Sequence, residues 1–301
     1  MKYLFVAVTV VVLSFGSAFA ADSAPSGSVP DYLQQISVTI KSGDAQGSGT
    51  IVTRQVGDDT VSFIWTAGHV VDNLRTVRKV VTADGNTRVL VEFKDAQIVQ
   101  ERHQNGRRVG EMTLDAKVVK FSDANYGEDL ALLMVRQLSA YPLKTSAKFK
   151  TGSDYIPPIG VELSHCGSLL GQFGANSYTT GVLSQVGRML EMKGANVQVF
   201  DQVTAVAFPG SSGGGMYLKD TGEYIGMLTQ GVMQLQGFNF IVPVRRIHAF
   251  AADAKIEWAV DPNVPMPTLK DIERIPVEDS GELPSGLLDS NDAPSTEIGV
   301  F

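Results

Sequence analysis

The sequence predicts an all-β fold, from three observations. Roughly a dozen short runs rich in β-branched and aromatic residues follow one another between Tyr32 and Ala252. Clusters of Gly, Asp and Asn separate them, as turn residues separate strands. Almost no segment between them carries the 3.6-residue apolar period of a helix, so barrels or sandwiches fit better than a parallel α/β sheet.

The first half of the series reads "ISVTI", "SGTIVT", "TVSFIW", "RKVVT", "RVLVEF", "DAKVVKF" and "LALLMV". Within it, Asn105-Gly106 in "HQNGRR" marks a two-residue hairpin turn between "AQIVQER" and "RVGEMTL". Leu138 to Leu170 reads as a long irregular stretch. The second half reads "SYTTGVLSQV", "NVQVF", "TAVAF", "GMYL", "EYIGMLT" and "GFNFIVP". Two helical pieces are expected. One is a short turn in "HVVDNL"; the other is "VRRIHAFAADA", where Val244, Ile247, Phe250 and Ala251 share one face.

The ends of the chain differ from this body. Lys2, the apolar run Tyr3–Phe15 and the small residues Ser17–Ala20 form the pattern of a secretory signal peptide cleaved near Ala20. A membrane anchor is the competing reading, but the run is short for a span. Residues 21–31 read as a linker rich in Ser, Gly and Pro, and 32–253 as one domain. Residues 254–301 read as an acidic, Pro-rich, mostly disordered tail, the alternative being that its first part packs along the domain surface. From Asp261 onward nine acidic residues face two basic ones, while the rest of the chain carries 23 of each (32 minus 9, 25 minus 2). The net charge of -7 therefore belongs to the tail, and no nucleic-acid-binding surface is indicated. Cys166 is the only cysteine, which excludes an internal disulfide and a Cys-rich zinc site.

The stretch "FPGSSGGGMY" (Phe208–Tyr217) sits between apolar runs, which favours an ordered loop over a linker. A serine nucleophile needs an exposed oxygen and nearby backbone N–H groups for the developing oxyanion, and small residues let the chain turn tightly around it. Ser212 is the candidate and Ser211 its rival; a structural Gly-rich turn is the plain alternative. Serine also needs a base. Of four histidines, His103 flanks the polar hairpin, His248 lies on the late helix and His165 falls in the irregular "LSHCGS". His69 stands where the strand in "FIWTAGHVV" ends. Asp129, in "GEDLALLMV", leads into a strongly apolar strand, where a carboxylate needs a partner. Asp123 and Glu128 are its rivals.

"WTAGHVV", "DLALLMV" and "FPGSSGGGMY" occur in the order His, Asp, Ser. With "GSGTIV", "SYTTGVLSQVGR", "GEYIGMLTQG" and "GFNFIVPVRRIHAF", they make the chain resemble a trypsin-like, chymotrypsin-fold serine protease, nearest the bacterial HtrA branch. The resemblance implies two six-stranded antiparallel β-barrels, a short C-terminal helix and a site in the cleft between the barrels. It implies a catalytic set of His69, Asp129 and Ser212, an oxyanion hole from the N–H groups of Gly210 and Ser212, and no metal or organic cofactor. Val206 would lie at the base of the S1 pocket, with Thr229, Gln230 and Gly231 along its edge. No acid stands at that base, so a small aliphatic P1 residue in a protein or peptide substrate is expected. The sequence departs from the family at Ser211, where Asp or Asn is usual, and at "HCGSLLGQFG"; no PDZ-like domain follows. An inactive member serving as a binding module, and an ester hydrolase with a G-x-S-x-G elbow and His248 as base, are the other readings.

Overall fold

The computed structural model describes residues 27–81, 85, 87–104, 107–136, 145–152, 154–191, 197–231 and 235–278. The expected signal peptide, residues 279–301 and the Asn105-Gly106 turn lie outside the described residues. The first strands are β1 (Ser37–Ser42), β2 (Ala45–Val56), β3 (Asp59–Thr66), β4 (Arg75–Val81), β5 (Thr87–Phe93), β6 (Ala96–Gln104), β7 (Arg107–Ser122) and β8 (Leu130–Val135). The later ones are β9 (Glu162–Leu169), β10 (Gly174–Glu191), β11 (Val197–Val203), β12 (Gly215–Leu218), β13 (Tyr224–Gly231) and β14 (Asn239–Pro243). Helices α1 (Val29–Ile36), α2 (Gly68–Val71), α3 (Val244–Asp253) and α4 (Leu269–Glu273) complete the described set.

Strands β1-β2-β3-β8-β7-β6 close one barrel and β10-β11-β14-β13-β12-β9 close a second; β4 and β5 pair as a separate ribbon. The expected two six-stranded barrels are present. Closure pairs every strand on both sides, so neither barrel leaves an open edge. The β6–β7 hairpin has the expected register, with Gln104 opposite Arg107. Strand β3 is buried on both faces from Val61 onward, because one face fills the barrel and the other is covered by later chain. That is why "FIW" in this strand is a continuous apolar run.

Four expectations change. The stretch read as irregular to Leu170 contains β9, an interior strand paired with both β10 and β12. Conversely "TAVAF" is not a strand: its backbone groups bond to side chains, the Ala205 carbonyl to Asn239 Nδ2 (2.7 Å) and the Val206 carbonyl to Thr179 Oγ1 (2.9 Å). The linker read over 21–31 gives way at Val29 to α1, which opens with Ser28 and Asp31 as a reciprocal capping box and Pro30 in its first turn. This helix buries Tyr32, Leu33 and Ile36.

The fourth change concerns residues 254–278, read as the start of a disordered tail. They pack on the first barrel, burying Ile256, Trp258, Ala259, Val260 and Ile272. The Trp258 ring meets Phe63 edge-on with centroids 4.8 Å apart, and Trp65 Nε1 donates to the Ala259 carbonyl (3.1 Å). Helix α3 matches its expectation, burying Val244, Ile247, Phe250 and Ala251. Among the described residues no helix is long and apolar enough to cross a membrane. Removing the Trp258 side chain opens a cavity against Phe63. Trp258→Ala is expected to cost about 3–5 kcal/mol in denaturant unfolding. A loss below about 1 kcal/mol would show that this segment is not part of the core.

Candidate active site

The second barrel supplies the serine loop between β11 and β12, and the first supplies His69 and Asp129. The loop must come close to the first barrel, and glycine makes this possible. Gly213, at φ +85°, would carry a Cβ only 2.2 Å from both the Ser48 carbonyl and Thr66 Oγ1. Gly210, at φ +94°, presses its backbone against Ser168 and Gly171. Both positions need a residue without a side chain. Ser48 then fastens the loop: its N–H donates to the Ser212 carbonyl (2.8 Å) and its hydroxyl to the Gly210 carbonyl (2.6 Å).

Within the loop the two serines separate. The Ser211 hydroxyl is fully buried and accepts the Phe208 N–H (3.2 Å). The Ser212 hydroxyl faces β13 and donates to the Thr229 carbonyl (3.2 Å). Ser212 is therefore the one turned toward Thr229, whose own hydroxyl reaches Asp129 of the first barrel.

His69 lies on α2, directly after β3. Asp129 precedes β8 in a left-handed conformation, φ +54°, which Asp tolerates better than most residues. This turn aims its carboxylate at the start of α2. Oδ1 accepts the His69 N–H (2.9 Å), and His69 Nδ1 lies 3.0 Å from Oδ2 and 3.1 Å from Oδ1. Asp129 is 3 % exposed. Burial raises its pKa, but the His69 ring and hydrogen bonds from His69 and Thr229 outweigh burial and hold it below the ordinary carboxylate value. A carboxylate only accepts, so Nδ1 carries the proton and Nε2 is left as the basic nitrogen.

Thr229 joins the two halves. Its hydroxyl donates to Asp129 Oδ2 while its carbonyl accepts from Ser212. The sequence placed Thr229 along the substrate edge; its side chain is buried, with the hydroxyl against the carboxylate. Its neighbours on β13 differ: Gln230 is half-buried, and Gly231 pairs with Asn239 of β14. Val206 is half-buried in the irregular stretch leading to the serine loop. Asp123 and Glu128 stand aside from His69. The Asp123 carboxylate accepts the N–H groups of Asn125 and Tyr126, and Glu128 binds Arg246. His103 lies 3.6 Å from Glu101, and His248 donates to the Lys150 carbonyl (2.9 Å).

Two supporting residues escaped the sequence reading. Ser48, in "GSGTIV", looked like an ordinary strand residue. His165 lies in β9 behind the serine loop, where its Nδ1 donates to the Gly215 carbonyl (3.0 Å). Its ring backs directly onto Gly214, where a Cβ would approach Cε1 to 2.6 Å. Among the described residues no group of His, Cys, Asp and Glu could hold a metal ion.

Comparisons agree with this architecture. The family model described as a trypsin-like peptidase domain matches residues 47–227, more than half of the chain. No curated protein matches the sequence. An HtrA-type protease solved with a tripeptide is 21% identical with a TM-score of 0.51, over 76% of this chain and 62% of that one. The serine endoprotease from Yersinia pestis is 19% identical with a TM-score of 0.50, over 76% of this chain and 65% of that one. Deg5 is 19% identical with a TM-score of 0.52, over 77% of this chain and 94% of that one. The chain thus spans less than two thirds of the length of the first two. At these identities the likeness is one of fold.

Burial pushes the His165 pKa down to about 4, against an ordinary 6.5. The native ring therefore stays neutral where the unfolded chain takes up a proton. Stability from this site is complete above pH 6.5 and is lost as pH falls toward about 4. The loss is roughly 3 kcal/mol, from 1.36 kcal/mol per pKa unit. Urea unfolding of wild type and His165→Gln between these pH values should differ by a gap that closes on acidification. Parallel pH curves would contradict it.

Proposed function

This chain belongs to the trypsin-like peptidase family, and on that premise we propose that it is an exported serine endopeptidase acting through Ser212, His69 and Asp129. One observation carries the reading. The buried Asp129 carboxylate holds the His69 ring on one oxygen pair and, through Thr229, the residue that accepts the Ser212 hydroxyl.

In this mechanism His69 Nε2 takes the Ser212 proton as Oγ attacks a peptide carbonyl. Asp129 keeps the proton on Nδ1 and stabilises the imidazolium that forms. The backbone N–H groups of Gly210 and Ser212 receive the developing oxyanion, each such donor contributing on the order of 3 kcal/mol. The protonated ring then gives its proton to the leaving amine, and an acyl-enzyme remains on Ser212. Water, deprotonated by the same ring, releases the acid and restores the serine.

Val206 at the base of the S1 pocket and the β13 edge at Gln230-Gly231 favour a small aliphatic P1 residue, since no acid at the base receives Lys or Arg. Export rests on the signal-peptide pattern of residues 1–20. Casein cleavage should fall by at least about 10³-fold in Ser212→Ala, the scale on which loss of such a nucleophile is felt. A fluorophosphonate should label wild type at Ser212 and leave the mutant unlabelled. Folded wild type that is neither labelled nor active would indicate a binding module. A peptide panel varied only at P1 tests the pocket, and a clear Arg or Lys preference would overturn its assignment.

A further inference from the structure

The loop from Ser122 to Asp129 presents the carboxylate on which the site depends, and it is held from two sides. From the second barrel, Arg246 on α3 binds Glu128, with Nε 2.9 Å and Nη2 2.5 Å from Oε2. The other hold comes from chain beyond α4, outside residues 47–227 that match the family. There the Phe121 N–H donates to the Val277 carbonyl (2.7 Å) and the buried Lys120 ammonium to the Pro276 carbonyl (3.1 Å).

Glu278 ends this contact. Its carboxylate holds Arg75: Nη2 donates to Oε2 at 2.6 Å, and Nε lies against Oε1 as a close ion contact without hydrogen-bond geometry. The side chains are 7% and 14% exposed, so the pair is largely desolvated. The Arg75 guanidinium lies over the Phe121 ring, 5.3 Å from its centroid, and reaches Asp123 Oδ2 at 3.7 Å. Asp123 organises the loop: its carbonyl accepts the N–H groups of Gly127 (2.9 Å) and Asp129 (3.4 Å). Its carboxylate accepts those of Asn125 (2.7 Å) and Tyr126 (3.2 Å).

We propose that Glu278 is a positioning residue for the active site, acting through Arg75 and Asp123 to fix the loop that carries Asp129. The physical reason is competition for one guanidinium. Arg75 has three carboxylates within reach, Asp72 at 3.9 Å, Asp123 at 3.7 Å and Glu278 much closer. While Glu278 holds the guanidinium as its nearest counter-ion, Asp123 keeps its carboxylate for the loop's own N–H groups. Without Glu278, a buried cation is left short of a partner and draws in Asp123 or Asp72. Moving Asp123 moves the acceptor of the Asp129 N–H, and with it the carboxylate that orients His69. A small displacement of a catalytic group far from the mutated residue is enough to slow chemistry.

The activity arm of the test rests on the proposed peptidase reading; the spectroscopic arm does not. Glu278→Gln should lower kcat about tenfold while leaving KM within about twofold, because substrate is not touched. Glu278→Asp keeps the charge and shortens the reach, and should recover part of that loss. Glu273→Gln makes the same charge change at an exposed position of the same segment and should leave both constants alone. Independently of activity, the NMR resonance of the His69 Nδ1 proton should shift or broaden in Glu278→Gln and Glu278→Asp, and stay in place in Glu273→Gln. An unchanged His69 resonance in both Glu278 variants would overturn the proposal, whether or not the protein cleaves substrates. So would a fall in thermal stability with the resonance and kcat intact. A resonance that moves in the Glu278 variants, while wild type cleaves nothing, would sink the peptidase reading and leave the positioning role standing.

Discussion

A carboxylate almost wholly removed from water is the constraint around which this molecule is arranged. Burying Asp129 without partners would cost several kcal/mol or force it to stay protonated. The structure meets that cost with three kinds of donor: the His69 main-chain N–H, the His69 ring and the Thr229 hydroxyl. Two come from the first barrel and one from the second. The charge is fully satisfied only when the barrels are docked, so the contact that stabilises the docked state also fixes the His69 ring.

Docking uses small hydroxyls instead of an apolar seam alone. The Ser37 hydroxyl donates to the Cys166 carbonyl (3.3 Å), and Thr39 and Ser168 share a hydrogen bond of 2.6 Å. Thr50 meets the Tyr217 hydroxyl at 3.2 Å, and Ser48 reaches the Gly210 carbonyl. Each pairs a group on β1 or β2 with one on β9, β12 or the serine loop. Buried polar pairs of this kind lose little when fully matched and much when shifted by one residue. They therefore fix the register of one barrel on the other, which a greasy interface would leave looser.

This polar seam also explains which parts of the fold could be read in the sequence. Helix α3 was legible because its four buried residues recur at helical spacing. Most first-barrel strands were legible because Val, Ile and Phe dominate them. Strand β9, "ELSHCGSL", was not, since one of its faces is Ser164, Cys166 and Ser168 and the other carries His165 and Gly167 between its leucines, so no apolar alternation shows. "TAVAF" misled in the opposite sense: its composition suits a strand, but side chains of Thr179 and Asn239 occupy its backbone groups. The tail failed on averaging. Its prolines and acids dominate the composition, while Ile256, Trp258 and Val260 pack from a 3-10 turn too short to show a period. Of the site, His69, Asp129 and Ser212 stood out because each type is scarce or out of place in its setting. Ser48, and the link from Thr229 to Asp129, did not, because a serine or threonine in a strand does not disclose its partner.

The orientation of the barrels has a second determinant, the segment that joins them. Its Ala147 N–H donates to the Ile51 carbonyl (2.9 Å) in the first barrel; on the second, the Lys150 N–H donates to the Tyr224 carbonyl (2.9 Å) and the Tyr224 N–H to the Lys148 carbonyl (2.7 Å). The Tyr32 hydroxyl on α1 then bridges it from outside, donating to the Ser146 carbonyl (3.0 Å) and accepting the Lys148 N–H (3.1 Å). Phe149 stacks on Tyr224 with centroids 4.3 Å apart, while Trp65 of the first barrel lies 6.3 Å from Phe149. The connection is thus clamped at three points, so a shift of one barrel strains all of them together. Thr229 can hold Asp129 from across the seam because these contacts tie both barrels to one segment.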